Sequence, residues 1–457
     1  MEESIYIYFT SDLHSYFENW PKLMNDINAK ISKRKENEEF YLLLDNGDHL
    51  DRSHPITDAS LGNSNQQLLD YANYDAVTLG NNEGITLPSE ELYHLYDDVA
   101  FDVVCANISP INDPKPSWLK PYHVFTTPEN TTIGVIGLTV PFQAFYEKIG
   151  WTTEDPFEVL DYFIPIMRKK CDVIVVMSHL GAYVEEEIAK KYPVDVIIGG
   201  HTHHLYEQGH LVNDCLITAV GKHGFYYGEI KLTVNKQSKA VESKEGYAIK
   251  INDDVDGNTT AFLNELKQEA EKKLSEVVTV LDQPLEVKWF EETYLMEQFV
   301  KTLQQWTDAD CAMLNAGILL DGFQEGIVTK GDVLQRCPHP MNPCTMVLRG
   351  DQLIEMIRMV EEESFQNIEL KGFGFRGKKI GKMIYSNLTV DYHKETDFVE
   401  NVFVNDRPVD KQKKYTVATA DTFSFPQLVP SLKTVKEKSY FLPELIRDLL
   451  EQSLKNV

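Results

Sequence analysis

Tyr41-Leu42-Leu43-Leu44-Asp45-Asn46-Gly47-Asp48-His49, residues 41–49, runs from an apolar stretch into an acidic turn that carries a glycine. The apolar part predicts a short buried strand, Tyr41–Leu44. Gly47 lets the backbone turn sharply, so the Asp48 carboxylate can stand over the sheet edge and bridge two ions. The same layout recurs along the first half of the chain. Ile5–Phe9 leads into Ser11-Asp12-Leu13-His14, and Ala76–Leu79 into Gly80-Asn81-Asn82-Glu83. Val173–Met177 leads into Ser178-His179-Leu180-Gly181, and Val194–Ile198 into Gly199-Gly200-His201-Thr202-His203-His204. A lone Asp-x-His pair means little. Five strand ends that each offer nitrogen or oxygen ligands are not explained by packing, because ligands of open α/β sheets bind beyond the carboxyl ends of the strands. Asp12, His14, Asp48, Asn81, His179, His201 and His203 are therefore the candidate metal ligands. Imidazole mixed with carboxylate suits zinc, manganese or iron better than the all-oxygen shell of calcium or magnesium.

Working outward, the strand candidates Val103–Ala106, Thr132–Leu138 and Cys215–Val220 alternate with polar, helix-like stretches, the rhythm of a layered α/β domain. We assign that domain to residues 1–250. An Asn-Asp-Asp-Val-Asp-Gly stretch after Ile251 then gives way to a polar helix, so 251–275 reads as a linker helix. Thr259 or Thr260 is the expected cap, and Leu263, Leu266, Ala270 and Leu274 form one apolar stripe. Residues 276–457 read as a second α/β domain, with strand candidates Ala312–Leu314, Met346–Leu348, Met383–Val390 and Tyr415–Ala418.

With 457 residues the chain is too long for one core. A formal charge of −27 opposes binding to duplex nucleic acid or an anionic membrane, both of which need a basic surface. The N-terminus is acidic and enters a strand at once, unlike a secretory signal, and no apolar run is long enough to span a bilayer. The six cysteines are scattered without C-x-x-C spacing, as reduced thiols are. The expected setting is cytoplasmic.

The order of the metal motifs resembles the calcineurin-like metallophosphoesterase family, and within it the 5′-nucleotidase branch of two-domain bacterial 5′-nucleotidases and UDP-sugar hydrolases. The resemblance covers nearly the whole chain. It implies a four-layer α/β/β/α metallophosphoesterase domain followed by a smaller α/β substrate-binding domain. It also implies two divalent metal ions, one held by Asp12, His14 and His203, the other by Asn81, His179 and His201, with Asp48 bridging. Such a pair acidifies a bound water to hydroxide and neutralises charge as the ester breaks in line, so no Ser-His-Asp or Cys-His nucleophile is required. The implied substrate is a nucleotide, a nucleoside 5′-monophosphate first. Cyclic nucleotides, UDP-sugars or other phosphodiesters are the alternative within the enzyme class, and a metal- and nucleotide-binding sensor with negligible turnover is the alternative outside it.

The third motif departs from the family. Where the branch has Gly-Asn-His-Glu-Phe-Asp, with a His–Asp pair assisting the transition state, this chain has Gly80-Asn81-Asn82-Glu83-Gly84-Ile85. Asn82 can donate a hydrogen bond to a phosphoryl oxygen but carries no proton or charge near neutral pH. Loss of a positioned acid or base costs about 10²–10⁴-fold. Among nearby histidines His54 is the first expected replacement, ahead of His49, His204 and His223. In the second domain, Met313-Leu314-Asn315-Ala316-Gly317 resembles the family's entry to its substrate domain, with Leu319-Leu320 where an arginine usually follows. The expected substrate contacts are Asn315, then Phe373, Phe375 and Arg376 in Gly372-Phe373-Gly374-Phe375-Arg376-Gly377, and Phe423 and Phe425 as a second stacking region.

Overall fold

In the first strand, Glu2–Thr10, Ile5, Ile7 and Phe9 point to one side and Tyr6 and Tyr8 to the other, and all of them are buried. A strand buried on both faces needs a layer on each side. The computed structural model describes residues 1–372, 374–395 and 398–457 and supplies those layers. The chain divides into two compact units, Met1–Ala270 and Glu271–Val457.

In the first unit, Glu2–Thr10 pairs in parallel with Phe40–Asp45 and antiparallel with Tyr226–Asn235. Its seven-stranded sheet runs in the order Val241–Lys250, Tyr226–Asn235, Glu2–Thr10, Phe40–Asp45, Ala76–Val77, Asp102–Val104, Leu119–Lys120. A six-stranded sheet follows the order His210–Val212, Cys215–Thr218, Val196–Gly199, Val173–His179, Thr132–Thr139, Tyr122–Thr126. Ile5, Ile7, Phe9, Leu42 and Leu44 of the first sheet share one core with Val135, Val175, Met177 and Ile198 of the second. Each such side chain contributes about 1.5–3 kcal/mol by leaving water. The outer face of the second sheet, Ile136, Ile174, Val176 and Ile197, packs against Leu160, Ile164 and Met167 of helix Pro156–Met167 and Ile188 of helix Ala182–Lys191. Helix Trp20–Glu36 covers the outer face of the first sheet, with Arg34 lying 4.0 Å over the Tyr6 ring. The result is the four-layer α/β/β/α arrangement.

Two long strands, Tyr226–Asn235 and Val241–Lys250, were not among the sequence candidates. Tyr226–Asn235 intersperses buried with half-buried residues and Val241–Lys250 is mostly exposed or half-buried, so neither forms an apolar run, as antiparallel strands near a sheet edge do. The connecting helix spans Gly257–Leu274 and starts earlier than expected, because its cap is Asp256, whose Oδ1 accepts the Thr259 N–H at 2.7 Å, and not Thr259 or Thr260. Leu266 and Ala270 are buried, and Phe262 stacks on Tyr71 at 4.6 Å.

The second unit has a five-stranded sheet in the order Met383–Ser386, Cys311–Asn315, Lys414–Ala420, Pro343–Arg349, Lys438–Tyr440. Helices Tyr294–Thr307, Gly350–Val360 and Ile446–Leu454 each bury one stripe in its core, for example Phe299 and Leu303, Met356 and Ile357, Leu449 and Leu450. The single strand expected over Met383–Val390 is two, Met383–Ser386 and Leu388–Tyr392, in different sheets. Asn387 breaks it with φ of +55°, a left-handed value that asparagine tolerates better than most residues.

Candidate metal centre

The strand ends of the first unit are laced together by backbone hydrogen bonds. Asp12 N–H donates to Gly47 O and His14 N–H to Asp48 O, both at 2.9 Å. Asn82 N–H donates to Asp48 Oδ1 at 2.8 Å and His201 N–H to Asp12 Oδ1 at 3.1 Å. The approach leaves no room for a side chain at two glycines. A Cβ on Gly80 would lie 2.1 Å from Asp48 Oδ1, and one on Gly47 2.3 Å from Gly80 N. Asp12, His14, Asp48, His201 and His203 all have left-handed backbones, with φ between +49° and +67°. Each such conformation costs roughly 1–3 kcal/mol in a residue other than glycine and persists only where its surroundings enforce it. Five of the seven expected ligands carry such strain.

Those ligands converge. His14 Nε2 and His203 Nε2 face each other at 2.9 Å, and His203 Nε2 lies 3.5 Å from Asp12 Oδ1. His179 Nε2 is 3.3 Å and His14 Nε2 3.6 Å from Asp48 Oδ2. Donor atoms of Asp12, His14 and His203 lie within 4.8 Å of one another, as do those of Asp12, Asp48 and His179. Asp12 belongs to both groups. Asn81 Oδ1 meets His201 Nδ1 at 2.8 Å, and the His201 ring abuts His179 edge-on at 5.4 Å. His179 is fully buried; its Nδ1 pairs with Asn46 O at 2.8 Å, while its Nε2 has no hydrogen-bond partner among the described residues. A buried imidazole nitrogen aimed at the Asp48 carboxylate 3.3 Å away, set among further carboxylates and imidazoles, fits a divalent cation.

The electrostatics agree with that reading. Burial opposes charge on His179, but the carboxylates of Asp48 and Asp12 outweigh it and carry the imidazole up to about 10. Burial also works against an ionised Asp48, yet His179 and His14 hold it below the usual carboxylate range. His201 is pushed down to about 4 by burial and by the charge of His179. His203 is pushed down to about 3 by burial, His14 and Lys222. Asp48 thus faces two imidazoles, His179 and His14, whose positive form it favours, in the place where a cation would supply that charge, while burial raises Asp12.

Two expected catalytic groups have other duties. Asn82 is 7% exposed and turned inward, with Nδ2 2.9 Å from Leu50 O and 3.1 Å from His14 Nδ1, so it steadies His14. His54 caps the short helix Pro55–Ser60 through Nδ1, which accepts the Ile56 N–H at 3.2 Å, and its ring sits edge-on to Phe17. His49 is buried against Trp20 and Asn65, and His204 faces Glu185 at 3.0 Å. The sequence reading missed the role of Glu83. Its carboxylate accepts the N–H groups of Asp48 at 2.9 Å, Leu50 at 3.1 Å and Gly80 at 2.8 Å, tying the second and third strand ends together. The available signal was a glutamate three residues after Gly80, the spacing of a helix capping box.

In the second unit the expected substrate contacts are placed as follows. Asn315 is fully buried and donates to Ile380 O at 2.8 Å. Phe375 is 4% exposed and lies flat on His339 with ring centres 4.9 Å apart, and Phe423, 1% exposed, packs near Phe365. Phe375 and Phe423 belong to the core of the unit, and Asn315 is a buried polar group beside it. Arg376 and Phe425 are half-buried, and Phe373 lies outside the described residues. His339 pins the loop: its Nδ1 accepts the Arg376 N–H at 2.8 Å and its Nε2 meets Ile318 O at 2.7 Å.

Residues 5–205 match the calcineurin-like phosphoesterase family and residues 275–426 the 5′-nucleotidase C-terminal domain. Over 460 aligned residues, 99% of this chain and 100% of the relative, the sequence is 39% identical to YunD of Bacillus subtilis, described as an uncharacterized metallophosphoesterase. A Staphylococcus aureus structure assigned as a 5′-nucleotidase superposes with a TM-score of 0.71 at 20% identity, covering 100% of this chain and 97% of that one. The Haemophilus influenzae NAD nucleotidase superposes with 0.69 at 17% identity, covering 100% and 96%. Fold and site define a phosphoester hydrolase. The chain belongs to the two-domain metallophosphoesterase family that joins a calcineurin-like phosphoesterase domain to a 5′-nucleotidase C-terminal domain.

Proposed function

We propose that the protein hydrolyses nucleotides, nucleoside 5′-monophosphates first, with two divalent ions in the first unit. Asp12, His14 and His203 would hold one ion, Asn81, His179 and His201 the other, and Asp48 would bridge. The observation that carries this is the fully buried His179 Nε2, turned to Asp48 Oδ2 at 3.3 Å, among donor atoms gathered within 4.8 Å. When bound, the ions supply Lewis acidity, an activated water and neutralisation of developing charge. The chain's own contribution is placement: Glu83 and the left-handed backbones fix the ligands, and Asn82 steadies His14. In functional terms residues 1–250 carry catalysis, 251–275 connect, and 276–457 choose the substrate. Six buried free thiols support a cytoplasmic setting, and among the described residues no helix is long and apolar enough to cross a membrane.

A second reading is a metal- and nucleotide-binding sensor, favoured by the inward-turned Asn82 in place of an imidazole. Purified protein reconstituted with Mn²⁺ or Zn²⁺ and offered phosphomonoesters, cyclic nucleotides and UDP-sugars separates the two. Turnover fastest on nucleoside monophosphates supports the enzyme; tight nucleotide binding without turnover on any substrate transfers the conclusion to the sensor. His203→Ala should lower bound metal by elemental analysis, and two ions retained in that variant would refute this ligand set.

A further inference from the structure

Glu83 stands behind the loops of Asp48 and Asn81, and a second buried glutamate stands behind the imidazole ligands. Glu185 lies in the first turn of helix Ala182–Lys191, which begins just after the His179 loop, and it is fully buried. Its neighbours Glu186 and Glu187 instead meet Lys190 on the surface, at 3.5 and 3.0 Å. Burying a carboxylate is costly unless partners compensate it. The partners Glu185 meets belong to the loop that carries His201 and His203: its Oε1 accepts the Gly200 N–H at 3.2 Å, and its Oε2 faces His204 Nε2 at 3.0 Å.

That loop has two sides. His203 Nε2 meets His14 Nε2 at 2.9 Å and His201 Nδ1 meets Asn81 Oδ1 at 2.8 Å, on the side of the candidate centre. Thr202 and His204 turn to the helix: Thr202 Oγ1 accepts the Ala182 N–H at 3.1 Å and lies 2.9 Å from His204 Nδ1. With Nε2 turned to a carboxylate, the imidazole of His204 keeps its proton there, and Nδ1 is left to accept the Thr202 hydroxyl. The approach of helix and loop is close enough to demand glycine. A Cβ on Gly199 would lie 2.3 Å from Glu185 Oε2, and one on Gly181 2.7 Å from Thr202 Cγ2.

Resting on the ligand set proposed above, we propose that Glu185, acting through Gly200 and His204, is a positioning residue for the imidazole side of the metal centre. It holds His201 and His203 in the one arrangement that lets a single short loop serve both ions. Both ions therefore depend on it, since His201 belongs to one and His203 to the other.

The test titrates metal-stripped, full-length protein with Mn²⁺ and reads affinity by calorimetry and bound metal by elemental analysis. Wild type should take up two ions. Glu185→Gln should weaken both sites about 10–100-fold, as the loss of an outer partner of metal ligands does. His204→Gln should weaken both in the same direction, and the double variant should lose no more than Glu185→Gln, because the two residues act through one contact. Excess Mn²⁺ should return kcat of Glu185→Gln to near the wild-type value, since every ligand is still present. Glu186→Gln removes the same charge from the same helix and should leave affinity unchanged. Equal affinity in wild type and Glu185→Gln, a loss confined to one site, or an equal loss in Glu186→Gln would overturn the proposal. A kcat that stays low with both ions bound would overturn it too, because the carboxylate would then serve something other than the hold on metal. Metal-free melting compares the folds of the variants. Should Glu185→Gln not fold, His204→Gln and Thr202→Val, which alter a half-buried and an exposed side chain, are judged by the same criteria. A wild type that does not bind two ions defeats the ligand set itself, whereas two ions held equally well without Glu185 defeat only this inference.

Discussion

Two sets of loops resemble each other in sequence, the strand ends of the first unit and the glycine-rich segment 372–377 of the other, since both place glycines beside residues suited to ligands. They are built in opposite ways. In the first unit the backbone is strained, with left-handed Asp12, His14, Asp48, His201 and His203, and the buried polar atoms point at one another. In the glycine-rich segment, the described glycines Gly372 and Gly374 carry the positive φ values, while Phe375 and His339 satisfy their environment by stacking and hydrogen bonding. Strain on residues other than glycine, together with buried imidazole and carboxylate atoms crowded on one another, marks the place where binding energy is still to be gained. A satisfied aromatic stack marks a place where it has already been used for folding.

The contrast can be attacked at four points. Asp48→Asn removes a charge that two imidazoles face and should lower kcat/KM on the order of 10⁴-fold on every substrate. Steady-state kinetics on reconstituted protein checks this, and near-normal turnover would end the case for the first unit as the reacting centre. Phe375→Ala should cost about 3–5 kcal/mol of stability in the second unit, read by calorimetry, with little selective effect on nucleotides. A selective rise in KM at unchanged stability would return Phe375 to the substrate site and dissolve the contrast.

Glu83→Gln keeps the shape but weakens the acceptor for three N–H groups, so metal affinity should fall about 10–100-fold. Titration with Mn²⁺ reads this directly, and unchanged affinity would show that the strained loops hold themselves.

The smallest expected effect concerns Asp421, fully buried with Oδ1 lacking a partner among the described residues and pushed by burial from 3.8 to about 7. Between those values the folded state binds more protons than the unfolded one, so this group's contribution falls as pH rises from about 4 to about 7 and stays low above that. Asp421→Asn should therefore stabilise the second unit by on the order of 1–3 kcal/mol at pH 8 and by progressively less toward pH 4. A gain independent of pH would show that some other property of the substitution is responsible.

Much of the first unit was legible in sequence because its signals are local. Short apolar runs ending in Gly, Asp, Asn and His announce parallel strands with ligands at their carboxyl ends. The hairpin Tyr226–Asn235 to Val241–Lys250 was not legible, because many of its residues are half-buried or exposed and mimic a polar segment. The duties of Asn82 and Glu83 were also hidden: a side chain that can face a substrate can equally face Leu50 O, and only the fold selects between them. Phe375 and Phe423 were read as base contacts because sequence reports an aromatic ring but not which side of it is covered.

What the sequence determined by itself is the order of the metal motifs, the α/β class and the presence of a second domain, since these follow from periodicity and from residue chemistry at fixed spacing. Only the tertiary structure decided which groups share a site. The distance between His14 and His203, 189 positions apart in the chain, depends on how two sheets pack, and so does the placement of Tyr16 against His223. Burial, strain and unmet hydrogen bonds are properties of surroundings, and surroundings exist only once the chain has folded.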